Sequence, residues 1–98
     1  MSMLREDQDA EEVAPWRPGD GPKPAVHVFP PSERPMLRVR TQGRWHTTVV
    51  LARYDHHDGR AAYQVDINLT IDGLHHVGTS RTYWWNPKAM KPVRPGTR

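Results

Sequence analysis

Cysteine is absent from this chain and phenylalanine occurs once. Without thiols there is neither a disulfide framework nor a thiolate metal site. No apolar run approaches the ~20 residues that a membrane-spanning helix needs. Met1 to Asp7 contains no apolar signal core, so the cytoplasm is the expected location and no membrane partner is expected. The 98 residues amount to one domain at most. Residues 1–35 hold few apolar side chains. The packed part is therefore expected to be about sixty residues, a size at which only ~60% of the unfolded surface is buried. With no covalent staple, stability is expected to rest on Trp45, Trp84, Trp85, Tyr54, Tyr63 and Tyr83, each of which buries on the order of 150–250 Å² when fully inside.

What is present is a pattern of strands. From Ala61 to Ile71 every odd residue is apolar, whereas Gln64, Asp66, Asn68 and Thr70 are polar. Period-two alternation is the mark of a strand with one buried and one wet face. A long run from Trp45 to Tyr54 precedes it and a third run ends at Tyr83-Trp84-Trp85. Between the first two, His57-Asp58-Gly59 reads as a three-residue hairpin loop with Gly59 in the left-handed conformation. That register sets Leu51 opposite Val65, Val49 opposite Ile67, Thr47 opposite Leu69 and Trp45 opposite Ile71. A one-residue slip would flip a whole face, which favours it. Asp72-Gly73 marks the next turn. A three-residue loop there pairs Leu69 with Val77, Ile67 with Thr79, Val65 with Arg81 and Tyr63 with Tyr83. Gly78 is a candidate bend or bulge.

Met36 to Arg40 reads as a first strand, with Leu37 and Val39 on one face, and Thr41 to Arg44 as a turn. Asn86 to Ala89 is a further turn, and Met90 to Val93 a short edge strand, because Pro92 cannot donate to a ladder. The expected fold is all-β: a five-stranded antiparallel SH3-like barrel over residues 36–94, in which curling hides exposed edges. A basic tail follows over residues 95–98.

Residues 1–35 are expected to be a disordered or extended tail, because seven prolines from Pro15 to Pro35 break any long element. A short acidic helix over residues 4–13 fits the composition. Two spots are stickier, Trp16 and Ala25-Val26-His27-Val28-Phe29; the second has the makings of an added edge strand or a groove-docking segment. Charge divides at the same place. Residues 1–35 carry four Lys or Arg against seven Asp or Glu, and residues 36–98 carry ten against four. An acidic tail before a basic domain points to a polyanionic partner, or to a tail that folds back and competes with one.

The strands also carry a resemblance. Gly43-Arg44-Trp45-His46-Thr47-Thr48-Val49-Val50, Tyr63-Gln64-Val65-Asp66, Tyr83-Trp84-Trp85 and Met90-Lys91-Pro92-Val93 resemble the Tudor/Agenet branch of SH3-like barrels over residues 36–94. The resemblance implies a non-enzymatic peptide binder, and relatives of the same barrel shape bind nucleic acid. The sequence departs from the family's aromatic cage for methylated side chains: three or four aromatics cannot be placed on one loop cluster.

Catalytic and metal chemistry find little footing. His56-His57, flanked by Asp55 and Asp58, and His75-His76 look like a ligand set, but they lie at opposite ends of the middle strand, about 35 Å apart at ~3.3 Å per residue. Ser80 and His76 have no acid placed to orient a base. No enzyme, cofactor or metal is expected. The outward residues are more informative. Exposed aromatics interleaved with arginine suit stacking on bases and charge pairing with phosphates, and equally suit a protein hot spot. Arginine outnumbers lysine eleven to three, which favours planar recognition of phosphate or carboxylate. The expected ligand-binding face comprises Arg38, Arg40, Arg44, Tyr54, Arg60, Arg81, Trp84 and Lys88. The expected partner is nucleic acid, DNA or RNA, bound by an accessory or regulatory factor. A peptide or partner protein, met by a Tudor-like adaptor, is the alternative. The protein is expected to be a monomer, or a dimer through an edge strand at Met36–Arg40 or Met90–Val93.

Overall fold

A computed structural model describes residues 8–71 and 75–94. The expected turn at Asp72-Gly73, the side chains of His75 and His76 and the basic tail from Pro95 lie outside the described residues. Six strands form one antiparallel sheet: β1 Ala25–Val28, β2 Met36–Thr41, β3 Arg44–Asp55, β4 Ala61–Ile71, β5 His75–Trp84 and β6 Met90–Val93, with one 3₁₀ turn at Pro31–Glu33. The order is β5-β4-β3-β2-β6, and β1 pairs with β3 off that path. The all-β antiparallel class is as expected. The strand count rises from five to six, and the ladder does not close on itself among the described residues.

The additional strand follows from lengths. β3 has twelve residues, but β2 pairs only with Arg44 to Val49 of it. β1 takes the vacant half of the same edge, Ala25 opposite Asp55 through Val28 opposite Ala52. The segment therefore does add as a strand. Being flanked by β3 and β6, β2 is not the edge strand its sequence allowed; β6 is.

The β4–β5 ladder has the expected register throughout, Tyr63 opposite Tyr83 to Leu69 opposite Val77. Gly78 sits opposite Asn68 in that regular ladder and marks no bulge. The β3–β4 ladder has the expected register only near its turn. His56 N–H donates to Arg60 O at 2.9 Å, Gly59 has φ +90°, and Asp55 to Ala52 pair with Ala61 to Gln64. Between Ala52 and Val50 the register shifts by one, so Val50 faces Val65 and Val49 faces Asp66. The extra residue is Leu51. Its carbonyl accepts from Phe29 N–H at 3.0 Å, and Val50 N–H donates to Pro35 O at 2.8 Å. The link from β1 to β2 thus satisfies the bulge's backbone, as buried polar groups require.

The shift decides which residues are inside. The inner face collects Leu37, Val39, Val50, Val65, Ile67, Leu69, Tyr83 and Met90, all buried. Thr48 is buried among them and its hydroxyl donates to Leu37 O at 2.7 Å. Beyond the bulge, Ala52 turns to the outer face with Ala62, and both are buried there. The core is aliphatic with one tyrosine. The indoles expected to fill it lie at its rim, and Trp85 is 40% exposed. Burial raises the Tyr83 hydroxyl above its ordinary pKa of 10.0, with Glu12 adding to the rise and a hydrogen bond to Thr41 opposing it. A raised folded-state value stabilises the fold below the unfolded pKa and is lost as pH climbs through the folded one. Urea midpoints taken from pH 8 to pH 11 should fall above pH 10.0, and Tyr83→Phe should remove part of that fall.

Residues 8–13 run extended across the opening between the sheet's two edges, so the expected acidic helix is absent over them. Gln8 N–H donates to Lys88 O and Ala10 N–H to Arg40 O; Val13 N–H donates to Thr82 O and Trp84 N–H to Glu11 O. Glu12 bridges Tyr83 antiparallel. This arm joins the β2–β6 side to the free edge of β5 through backbone bonds, which need little apolar sequence.

Candidate binding surface

Because Leu37 and Val39 point inward, strand alternation turns Met36, Arg38 and Arg40 outward. The turn between β2 and β3 has two central residues, Gln42 at φ 55° and Gly43 at φ 70°. Positive φ at both is the hairpin geometry that matches strand twist. It places Arg40 opposite Trp45, Arg38 opposite Thr47 and Met36 opposite Val49. On the other flank β6 brings Lys91 beside Arg38. The Arg38 guanidinium carbon lies 5.5 Å from the Trp45 ring centre and Lys91 Nζ lies 4.8 Å from it. Two cations from two strands therefore flank one indole on the outer face.

The other end of the outer face is built differently. Tyr54 lies nine residues further along β3, about 30 Å of strand at ~3.3 Å per residue. Tyr54 Oη donates to Gln64 Oε1 at 3.1 Å and Gln64 Nε2 to Ser80 Oγ at 2.7 Å, a polar row across three strands. Val13, Ala14, Trp16 and Pro24 lie over this end, and a cleft of 320 Å³ remains between them and Tyr54. At the β3–β4 hairpin, the His56 ring meets that of Trp84 tilted at 56° with centres 4.6 Å apart, and the Arg60 guanidinium lies 3.8 Å from the same indole. Across the rim Tyr63 and Trp85 meet edge to face at 6.0 Å, with Arg53 over Tyr63 at 5.8 Å.

Carboxylates sort the cations. Arg40 is paired with Asp9 at 2.9 Å, Arg81 with Glu12 at 3.2 Å, Arg60 with Asp58 at 2.7 Å and Arg53 with Asp55 at 2.9 Å. The backbone N–H of Arg60, helped by its side chain, holds Asp58 below its ordinary pKa. Such pairs at exposed positions add little to stability; their larger effect is to occupy the arginines. Arg38 and Lys91 have no carboxylate within 4.0 Å among the described residues.

The eight expected site residues do not make one face. Arg38 and Arg40 flank Trp45. Arg44 is exposed at the turn, on the opposite face by alternation. Tyr54, Arg60 and Trp84 gather at the far end, Arg81 is turned to Glu12, and Lys88 is exposed in the β5–β6 turn. Two members of the Trp45 cluster were missing from the expected set: Trp45, read as core, and Lys91. The signal for Trp45 was the turn length, since two central residues carry the outward parity of Arg40 over to it; Lys91 joins only through the pairing of β6 with β2. Among the described residues no three His, Asp or Glu side chains converge as metal ligands, and no helix is long and apolar enough to cross a membrane.

No protein-family model matches this chain, and neither a curated protein nor a solved structure is significantly similar to it.

Proposed function

We propose that this chain is a non-enzymatic nucleic-acid-binding module, a cytoplasmic accessory or regulatory factor whose contact surface is centred on Trp45. The observation that carries the reading is the pair of cations, Arg38 and Lys91, held over one indole without carboxylate partners among the described residues. A base stacking on an aromatic side chain contributes about 1–3 kcal/mol. The two exposed cation–π contacts it would replace are worth about 0.5–1 kcal/mol each. Stacking alone makes the exchange nearly even, and release of the two displaced cations toward the phosphates favours the nucleic acid. Met36, 44% exposed, extends the strip with an apolar contact. The Tudor/Agenet resemblance belongs to the same proposal, at the level of a small β module that binds rather than catalyses.

The test is a titration with single-stranded and duplex oligonucleotides, followed by tryptophan fluorescence at several salt concentrations. Quenching should be lost steeply with salt, with a log–log slope of about −2 for two phosphate contacts. Binding whose strength does not change with salt would favour the second reading, a protein adaptor. That reading rests on the edge-to-face pair of Tyr63 and the exposed Trp85, a surface of hot-spot composition at the opposite rim.

A further inference from the structure

We propose that the carboxylate of Asp9 occupies a phosphate site formed by Arg40 and the backbone of the β2–β3 turn. Asp9 Oδ1 accepts from Arg40 Nη1 at 2.9 Å. The same carboxylate accepts from the backbone N–H of Gly43, at 3.3 Å to Oδ1 and 3.2 Å to Oδ2. In a two-residue hairpin with both central φ positive, the second N–H is not used by the ladder. Here it points at the anion beside a guanidinium. A guanidinium and a backbone N–H converging on one set of oxygens is the donor arrangement that phosphate takes.

Position gives the site its meaning. Arg40 is the cross-strand partner of Trp45. A phosphate held by Arg40 and Gly43 would lie one residue row from a base stacked on that indole. The Asp9 side chain is 46% exposed and that of Arg40 24%, so an incoming anion has access. Ala10 N–H donates to Arg40 O at 2.7 Å, which holds Asp9 in place independently of its charge. Asp9 is thus a competing anion tethered beside the contact surface. The ligand group is a phosphate, in a nucleic-acid strand or free. The inference rests on the Trp45 reading for its neighbour, but its donors stand on their own.

The experiment uses the full chain as wild type, Asp9→Asn and Asp9→Asn combined with Arg40→Gln. Each is titrated with oligothymidylate and, separately, with inorganic phosphate, while the Gly43 amide is followed by NMR. Thermal unfolding confirms that all three are folded. Asp9→Asn should bind oligothymidylate roughly two- to five-fold more tightly, the range of an exposed ion pair. Its salt slope should steepen by about one. Its Gly43 amide should shift with inorganic phosphate at concentrations that leave the wild type unmoved. Adding Arg40→Gln should cancel all three effects. Oligothymidylate binding that Asp9→Asn leaves unchanged, with a still Gly43 amide, overturns the Asp9 site and leaves the Trp45 reading standing. A Gly43 response to inorganic phosphate in a protein that ignores oligothymidylate supports the anion site and removes the nucleic-acid reading instead.

Discussion

Deleting Leu51 should make the β3–β4 ladder regular and cost about 1–3 kcal/mol of folding stability. The residues on either side already pair with neighbours on β4, Val50 with Val65 and Ala52 with Gln64. Up to Val50, β3 sends Thr48 and Val50 inward; after it, Ala52 and Tyr54 face outward. With Val50 joined directly to Ala52, strict alternation keeps both halves on these faces. The core and the bond from Thr48 to the Leu37 carbonyl therefore survive. The loss falls on the other edge of β3, where the Phe29 N–H loses the Leu51 carbonyl and β1 is drawn one residue toward β2. A donor left unpaired there accounts for the cost of about 1–3 kcal/mol. Replacing Leu51 by Ala keeps the backbone carbonyl and should cost less, because Leu51 is only half-buried. Urea unfolding of the two variants makes the comparison. A deletion that leaves the chain unfolded would mean that the sheet cannot form without the bulge.

The second large effect concerns recognition. Arg38→Gln together with Lys91→Gln should lower oligonucleotide affinity tenfold or more at low salt and flatten the salt slope by about two. Trp45→Ala should also weaken binding, by about 1–3 kcal/mol, yet leave the slope nearly unchanged, because it removes a stacking surface and no charge. The two variants therefore separate charge from stacking on one surface. Arg60→Gln serves as the control: its guanidinium is already on Asp58 and Trp84 at the far end, and its loss should change affinity little. If Arg60→Gln proves as damaging as the double variant, the contact surface lies at the hairpin end and the Trp45 assignment is wrong.

How far the sequence could be read depended on how unambiguous each run was. β4 alternates without interruption, and its register against β5 follows from matching apolar faces. β3 contains Val49-Val50-Leu51-Ala52, four apolar residues in a row, which satisfy either parity. An inserted residue leaves no mark in such a run, so the register could be read only from the turn as far as Ala52. β1 has four residues between prolines, too few to choose between strand and tail. The vacant half of the β3 edge settles its fate, and that vacancy exists only in three dimensions. The arm was hidden for another reason: its bonds are made by backbone groups, and only the acidic charge of the segment pointed to its return to a basic sheet. At the candidate site the outward parity of Arg38 and Arg40 was legible. The pairing of cations with carboxylates was not, since Asp9 and Arg40 are 31 residues apart and Glu12 and Arg81 are 69 apart.

Those separations bear on the order in which the protein can assemble. The arm leaves the ribosome before the sheet, and most of its partners, Thr82, Trp84, Lys88 and the β6 flank beside Arg40, come from the end of β5 and beyond. The β3–β4 and β4–β5 hairpins are local and can form early, since closing a short loop loses little chain entropy. Gln8 meets Asn86, 78 positions further along the chain, only once the intervening strands are in place. Docking of the arm therefore reports completion of the sheet. Until it docks, the emerging chain holds an open β5 edge that another nascent chain could pair with.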